Sequence, residues 1–257
     1  MKSTDLTTPR VNPCIVIPVY NHSRGLASMT AELVRSQLPC LVVDDGSDEK
    51  SALALDALVT QTPQMTLLRR SANGGKGAAV CDALKAAHKR GFSHALQVDA
   101  DGQHDLGDIP KFLQACHESP HAVITGVRLY GSVPAARRYG RYITDFWVWI
   151  NTLSFTISDS MCGYRLYPVA ETVQMLNQAQ VGRRMDFDTD ILVRLYWQGL
   201  SIRQIQSKVT YSDDITSHFD LWKDNLRISA MHARLFFGML PRFPRLLWRS
   251  FMGRNVK

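Results

Sequence analysis

His94-Ala95-Leu96-Gln97-Val98-Asp99-Ala100-Asp101-Gly102-Gln103-His104 is the stretch on which the fold turns. An apolar run that meets turn residues reads as a buried strand with its end marked. Two carboxylates, Asp99 and Asp101, follow that end, where open α/β sheets bind ligands. Residues two apart on extended backbone project to one face. At a separation of about 6 Å and an effective dielectric of 20, two such charges repel by roughly 3 kcal/mol. A divalent cation would turn that repulsion into attraction. Hard oxygen ligands favour magnesium or manganese, with coordination sites left for phosphate oxygens. A bare Asp-x-Asp is a common pattern and more often a solvated polar loop, so the neighbouring segments carry the decision.

Upstream, strand and helix signals alternate. Cys14–Val19, Leu41–Val43 and Met65–Arg69 read as strands, and residues 24–36, 50–61 and 77–90 as helices. In the last of these Val80, Leu84 and Ala87 form one stripe. Downstream come a helix over 109–116 and a strand over 122–125, then helices over 142–157 and 188–198 and a strand over 201–211. This rhythm predicts an α/β fold, a mostly parallel sheet with helices on both faces. Polar clusters follow strand after strand: Tyr20-Asn21, Asp44-Asp45, Asn73-Gly74-Gly75-Lys76, Asp99 with Asp101, and Arg128. Acids able to hold a base, a ribose and a metal share an edge with a lysine and an arginine suited to phosphate oxygens. That set suits a nucleoside diphosphate.

The charge is placed unevenly. The net charge is +7, and no acid follows Asp224, whereas Arg227, Arg234, Arg242, Arg245, Arg249, Arg254 and Lys257 do. Those seven charges equal the whole excess, so the body of the chain is balanced. Trp222, Leu226, Ala230, Ala233, Phe237 and Leu240 fall at helical spacing, with Lys223, Arg227 and Arg234 on another stripe. Pro241 and Pro244 are expected to stop that helix, and Arg245–Met252 repeats its basic and aromatic character. A basic amphipathic helix with Trp and Phe suits an anionic membrane surface, reached through residues 222–257; packing on the catalytic body is the competing reading.

Five scattered cysteines without a C-x-x-C pair indicate buried free thiols in a reducing compartment, Cys162 included. Residues 1–12 lack the apolar core of a signal peptide. The longest apolar stretch, Phe146–Ile157, is too short to span a bilayer. The expected location is cytoplasmic, peripheral on the inner face of a membrane. The expected domains are a polar segment over 1–12, a catalytic domain over 13–211 and a basic extension over 212–257.

Several motifs together resemble a known family. Pro18-Val19-Tyr20-Asn21, Val43-Asp44-Asp45-Gly46-Ser47-Asp48, Gly75-Lys76-Gly77-Ala78-Ala79 and Asp99–His104 stand in the order and spacing of family 2 glycosyltransferases. The likeness is greatest to the dolichol-phosphate mannosyltransferase type. Gly126-Val127-Arg128 and Asp159–Arg165 extend it, so that it covers roughly residues 13–211. The resemblance implies the GT-A fold and transfer of a sugar from a nucleotide diphosphate sugar, with inversion. It implies that Pro18, Tyr20, Asn21, Asp44 and Asp45 line the base and ribose pocket and that Lys76 sits near the donor. It implies that Asp99, Asp101 and Gln103 hold the cation, magnesium or manganese. Arg128, Arg138, Arg141 and Arg165 would then meet an anionic acceptor or the diphosphate.

Two departures stand out. His22 follows the first motif where the family usually has an acid, and Asp186 and Asp190, with Asp188 between them, replace a Glu pair. An i, i+4 pair lies on one helix face and supplies a general base if the acceptor is a hydroxyl; helix-start acids favoured by the macrodipole read the same way. Gly74–Gly77 lacks the spacing of an ATP-binding P-loop. His218 lies where it could touch a diphosphate, or on the surface.

The leading expectation is therefore a metal-dependent hexosyltransferase using a UDP- or GDP-sugar and a lipid-linked or membrane-associated acceptor. A sugar-phosphate nucleotidyltransferase is one alternative, although it needs a Gly-rich basic loop after the first strand. A non-catalytic membrane or nucleic-acid binding protein is the other, although nucleic acid is not the expected partner. The oligomeric state is open.

Overall fold

The early apolar runs form strands β1 (Pro13–Val19), β2 (Cys40–Asp44), β3 (Met65–Arg69) and β4 (His94–Gln97), joined by helices α1 (Ser23–Arg35), α2 (Glu49–Gln61) and α3 (Lys76–Lys89). The structure, a computed structural model, describes residues 11–129, 135–209 and 221–252, and of residues 135–140 and 221 the backbone alone. The Arg138 side chain, Ser212, Asp213, Asp214, His218, Arg254, Lys257 and most of the polar N-terminal segment lie outside the described residues. So does the boundary expected at residue 211.

After β4 come α4 (Ile109–Glu118), β5 (Val123–Leu129), α5 (Ala135–Thr152), β6 (Arg165–Pro168), α6 (Val169–Gln178), α7 (Phe187–Gln198) and β7 (Ile202–Lys208). The seven strands among the described residues make one sheet in the order β3-β2-β1-β4-β6-β5-β7. All pairs are parallel except those of β6, which runs antiparallel to both β4 and β5. β1 shows why both faces need cover. Cys14 and Val16 enter one core with α3 and α7 residues such as Val80, Leu84, Ile191 and Leu195. Ile15 and Ile17 enter the other, with Leu26, Leu33, Leu55 and Phe112. Near-continuous apolar strands are the mark of a sheet buried twice over.

Three expectations need correction. β6 and α6 were not foreseen: Arg165-Leu166-Tyr167-Pro168 is only four residues long, begins with a charge, and becomes a strand by inserting between β4 and β5. The helix expected over 142–157 is α5, which starts earlier and ends at Thr152. Leu153 takes a left-handed φ of 50° there, and Trp149 Nε1 donates to the Ile157 carbonyl across the irregular chain that follows. β5 runs on through Arg128 because β7 pairs with it over seven residues, a partner that local periodicity does not announce.

The tail forms α8 (Leu221–Met239), one 3-10 turn over Leu240–Arg242 and α9 (Phe243–Met252). Pro241 breaks the helix as expected; Pro244 does not, since it lies in the first turn of α9, where a missing N–H leaves no bond unmade. The apolar stripe read from the sequence faces out: Trp222, Leu226, Phe237 and Leu240 are exposed, joined by Trp248 and Phe251 of α9. A second apolar set, Met231, Leu235, Met239 and Leu246, is buried in the core. Three of the tail arginines make contacts at the end of α7. Arg249 donates to the carbonyls of Tyr196 and Leu200, and Arg245 to that of Gln198. Arg242 lies 4.9 Å over the Trp197 ring. Cations thus cap the C-terminal end of α7, where its carbonyls and dipole are negative. No helix among the described residues is long and apolar enough to cross a membrane.

Candidate active site

Strand order reverses between β1 and β4: the chain leaves β1 toward β2 and β3, and α3 brings it back across to β4. Ligands bind outside the carboxyl ends of parallel strands at such a switch point, and Asp99 and Asp101 stand there. Two glycines let their turn sit tightly. A Cβ on Gly25 of α1 would overlap the Ala100 carbonyl oxygen. A Cβ on Gly163 would lie 2.5 Å from Lys76 Nζ and 2.6 Å from Asp99 Oδ2.

Lys76, at the start of α3, is the hub of this site. Its Nζ donates to Asp99 Oδ2 and to Asp188 Oδ2, both at 2.8 Å. Gln97 Nε2 donates to the other Asp188 oxygen, and the Tyr167 hydroxyl donates to Gln97 Oε1. Burial works against charge on Lys76, yet Asp188 and Asp99 outweigh it and hold the ammonium above its ordinary range. Burial likewise opposes an ionised Asp99; Lys76 and His104 overcome it and hold that carboxyl well below the usual carboxylate range. Asp101 moves the other way, raised by burial and then by the charge on Asp99.

Asp99 Oδ1 is buried and has no hydrogen-bond partner. An orphaned carboxylate oxygen beside a second acid fits a cation, and Gln103 follows on the same turn, its backbone N–H donating to Asp101 Oδ1. The set Asp99, Asp101 and Gln103 thus offers the hard oxygen donors that magnesium or manganese takes. Among the described residues no group of three or more His, Cys, Asp or Glu gathers at one point, so an amide oxygen, waters or phosphate oxygens would complete any coordination shell.

The acids expected to line the base and ribose pocket brace the loops. Asp44 is buried, accepting from the Ser47 N–H and pairing with Arg69 at 2.8 Å. Asp45 accepts from the Gly74 and Gly75 N–H groups and pairs with Arg70 at 2.9 Å. Gly75 has φ 96°, so the loop into α3 is held by Asp45 in a shape that needs glycine. Asn21, with φ 56°, accepts from the Asp48 N–H, and its own N–H donates to Ser47. Pro18 and Tyr20 are half-buried at the end of β1.

At the other side of the cleft, Arg128 of β5 grips Asp159 through Nε at 2.8 Å and Nη2 at 2.9 Å. Arg141 of α5 lies 3.5 Å from Asp145, one turn on. Arg165 is different: fully buried, it donates to the backbone carbonyls of Ser160, Cys162 and Asp188. It is a bolt between β6, α7 and the loop before β6, and it reaches no open surface. Asp190 is also spent internally, on the Gly182 N–H and Arg194. Asp186 accepts from the Arg184 N–H, with Arg234 of α8 at 3.7 Å. Of the three α7 acids, Asp188 is the one joined to Asp99.

Sequence reasoning gave no role to Asp188, His104, Asp145 or Asp159. Asp145 carried a signal, a lone acid four residues after an arginine beside an apolar run. The pairing of Asp188 with Lys76 carried none, because 112 residues separate them. Cys162 is a core thiol, pushed up to about 12 by burial.

Comparison with known proteins agrees with this geometry. The undecaprenyl-phosphate mannosyltransferase of Micrococcus luteus is 26% identical over 198 residues, covering 74% of this chain and 80% of that protein. The polyprenol monophosphomannose synthase of Mycolicibacterium smegmatis is 24% identical, covering 80% and 79%. A dolichyl-phosphate beta-glucosyltransferase of Trichomonas vaginalis is 29% identical, covering 74% and 61%. Among solved structures, a mannosyltransferase of Pyrobaculum calidifontis in complex with GDP-Man and Mn2+ aligns with a TM-score of 0.58 at 14% identity, over 95% of this chain and 70% of that one. S. aureus TarS in complex with UDP-GlcNAc aligns with a TM-score of 0.58 at 15% identity, over 90% and 72%. These likenesses bear out the GT-A fold. The model of glycosyl transferase family 2 matches residues 14–176, well over half the chain, so this protein belongs to family 2 and is a glycosyltransferase.

Proposed function

We propose that this enzyme moves one hexose-type sugar from a UDP- or GDP-sugar to a lipid-linked phosphate, with inversion, using magnesium or manganese held by Asp99, Asp101 and Gln103. The buried, unpartnered Asp99 Oδ1 at the switch point is the observation that carries this reading. A bound cation would neutralise charge as it grows on the departing nucleoside diphosphate, more in the transition state than before it. Lys76 holds Asp99 ionised and aimed, and Asp45 holds the 73–75 loop against which the nucleotide would rest. Arg128 and Arg141, each partly open, supply the cationic wall for an anion. A phosphate acceptor is itself an anionic nucleophile and needs no base. That choice is supported by the α7 acids, which are all engaged with protein partners, and by relatives whose names specify polyprenyl or dolichyl phosphates.

The membrane partner follows from the same substrate. Exposed Trp222, Leu226, Phe237, Trp248 and Phe251 support a peripheral seat on a membrane, with the active site on the cytoplasmic side. Residues 222–257 would supply that contact, on anionic lipid in the first instance. The function is tested by thermal shift with UDP-, GDP- and dTDP-sugars plus manganese, followed by transfer to a short-chain polyprenyl phosphate. One nucleotide should stabilise the protein, and Asp101→Ala should abolish the effect. Equal, metal-independent shifts with all of them would overturn the reading.

A further inference from the structure

The two acids beneath the proposed acceptor wall are held very differently. Asp159, fully buried, accepts from the Arg128 backbone N–H, Nε and Nη2. Asp145 is also buried, at 3% exposure, yet its nearest guanidinium contact is the single 3.5 Å approach of Arg141. Its Oδ1 has no hydrogen-bond partner. The acids lie underneath, with side chains 0% and 4% exposed, while the Arg128 and Arg141 side chains above them are each 21% exposed. The four groups feel one another: Asp159, Arg141 and Arg128 all act on Asp145. With both acids ionised, the cluster is neutral.

A phosphate arriving on those guanidinium groups brings excess negative charge onto a buried pair of carboxylates. One of them must lose its charge or the anion is repelled. Asp159, with three donors, is the wrong one to protonate; Asp145, with none at bonding distance, is the right one. We infer that Asp145 is a proton-coupled gate for the phosphate acceptor: Arg141 exchanges its contact with Asp145 for the phosphate, and Asp145 Oδ1 takes one proton from solvent. This rests on the acceptor reading above.

Other charged neighbours do not take over the role. On α7, Asp188 and Asp190 keep bonds of their own with Lys76, Gly182 and Arg194. On α8, packed along α5, the titratable neighbour is His232, stacked on Trp147 and lowered by burial to about 4, hence uncharged. In the unliganded protein, burial and then Asp159 already push Asp145 up to about 7, although Arg141 and Arg128 pull against them. The sign follows. A bound phosphate raises Asp145 further, so affinity is highest where the carboxyl is already protonated and falls as pH climbs above about 7.

Octyl phosphate is a suitable probe, because its second ionisation, near pH 6, is complete in the range used. Binding by calorimetry between about pH 7 and about pH 8.5 should weaken roughly tenfold per unit in the wild type, the slope of one linked proton. Asp145→Asn should bind with a change of less than about twofold across the same range. Buffers of different ionisation enthalpy should report about one proton taken up at pH 8 by the wild type and none by the variant. Parallel pH profiles for the two proteins would overturn the gate. Uniformly weaker binding by a folded Asp145→Asn would also overturn it, showing a merely supporting role. Failure of both proteins to bind the phosphate would bring down the acceptor reading itself, and the gate with it.

Discussion

The switch-point edge and the C-terminal helices use charge in opposite ways. At the edge of β1, β2 and β4, each cation meets two acids: Arg69 meets Asp44 and Asp56, Arg70 meets Asp45 and Asp82, and Lys76 meets Asp99 and Asp188. The tail has no such matching acids beyond Asp224, and three of its arginines settle on backbone carbonyls and a Trp face at the end of α7. The edge is therefore an ion lattice with one carboxylate oxygen, Asp99 Oδ1, left without a hydrogen-bond partner. The tail is a brace, cationic on its inner side and aromatic on its outer side. A basic stripe in a sequence records how many charges there are; whether they meet lipid or a helix end depends on where they dock.

The largest test of that contrast strikes the lattice. Lys76→Met leaves the half-buried Asp99 and the buried Asp188 without their cation. It should cost about 3–5 kcal/mol of stability, read as a lowered midpoint in urea. Unchanged stability would mean that the lattice holds nothing together. Next, Asp101→Asn removes a charge that the folded protein disfavours, since burial and Asp99 both raise that carboxyl. At neutral pH the variant should melt no lower than the wild type, while sugar transfer falls by about a hundredfold to a thousandfold. Loss of activity together with loss of melting temperature would demote Asp101 to a structural role.

On the other side of the comparison, Arg249→Ala frees the last carbonyls of α7 from their cation. About 2 kcal/mol of stability should go with it, along with faster amide exchange in α9. A silent Arg249→Ala would return the tail arginines to solvent or lipid. The smallest expected effect comes from the outer face. Trp248→Ser with Phe251→Ser should weaken flotation with anionic liposomes by roughly tenfold, from lost apolar burial, and leave the melting temperature unchanged. If flotation depends only on anionic lipid and not on these aromatics, the tail meets membranes by charge after all.

Much of this was readable before any coordinates. Strands β1 to β4 announce themselves because a parallel sheet buried on both faces needs unbroken apolar runs, and their ends are punctuated by polar turns. The acids of Asp99-Ala100-Asp101 belong to that punctuation. β6 escaped notice because four residues headed by Arg165 carry no period, and only neighbours on both sides make them a strand. In the sequence the α7 acids stand out as an i, i+4 pair, Asp186 and Asp190, yet the residue that shares Lys76 with Asp99 is Asp188 between them. Which face of α7 turns toward Lys76 is set by packing against α3.

Local patterning, then, determined the order of strands and helices, the family, and the presence of paired acids at one sheet edge, because burial and turn chemistry leave their marks on neighbouring residues. Tertiary structure alone decided how charges were shared out: Lys76 between two aspartates, Arg165 locked in the core and Arg249 on a helix end. Electrostatic partnership acts through space and depends on distance, and residues 23 to 112 apart in the chain become neighbours only when the sheet and its helices bring them together.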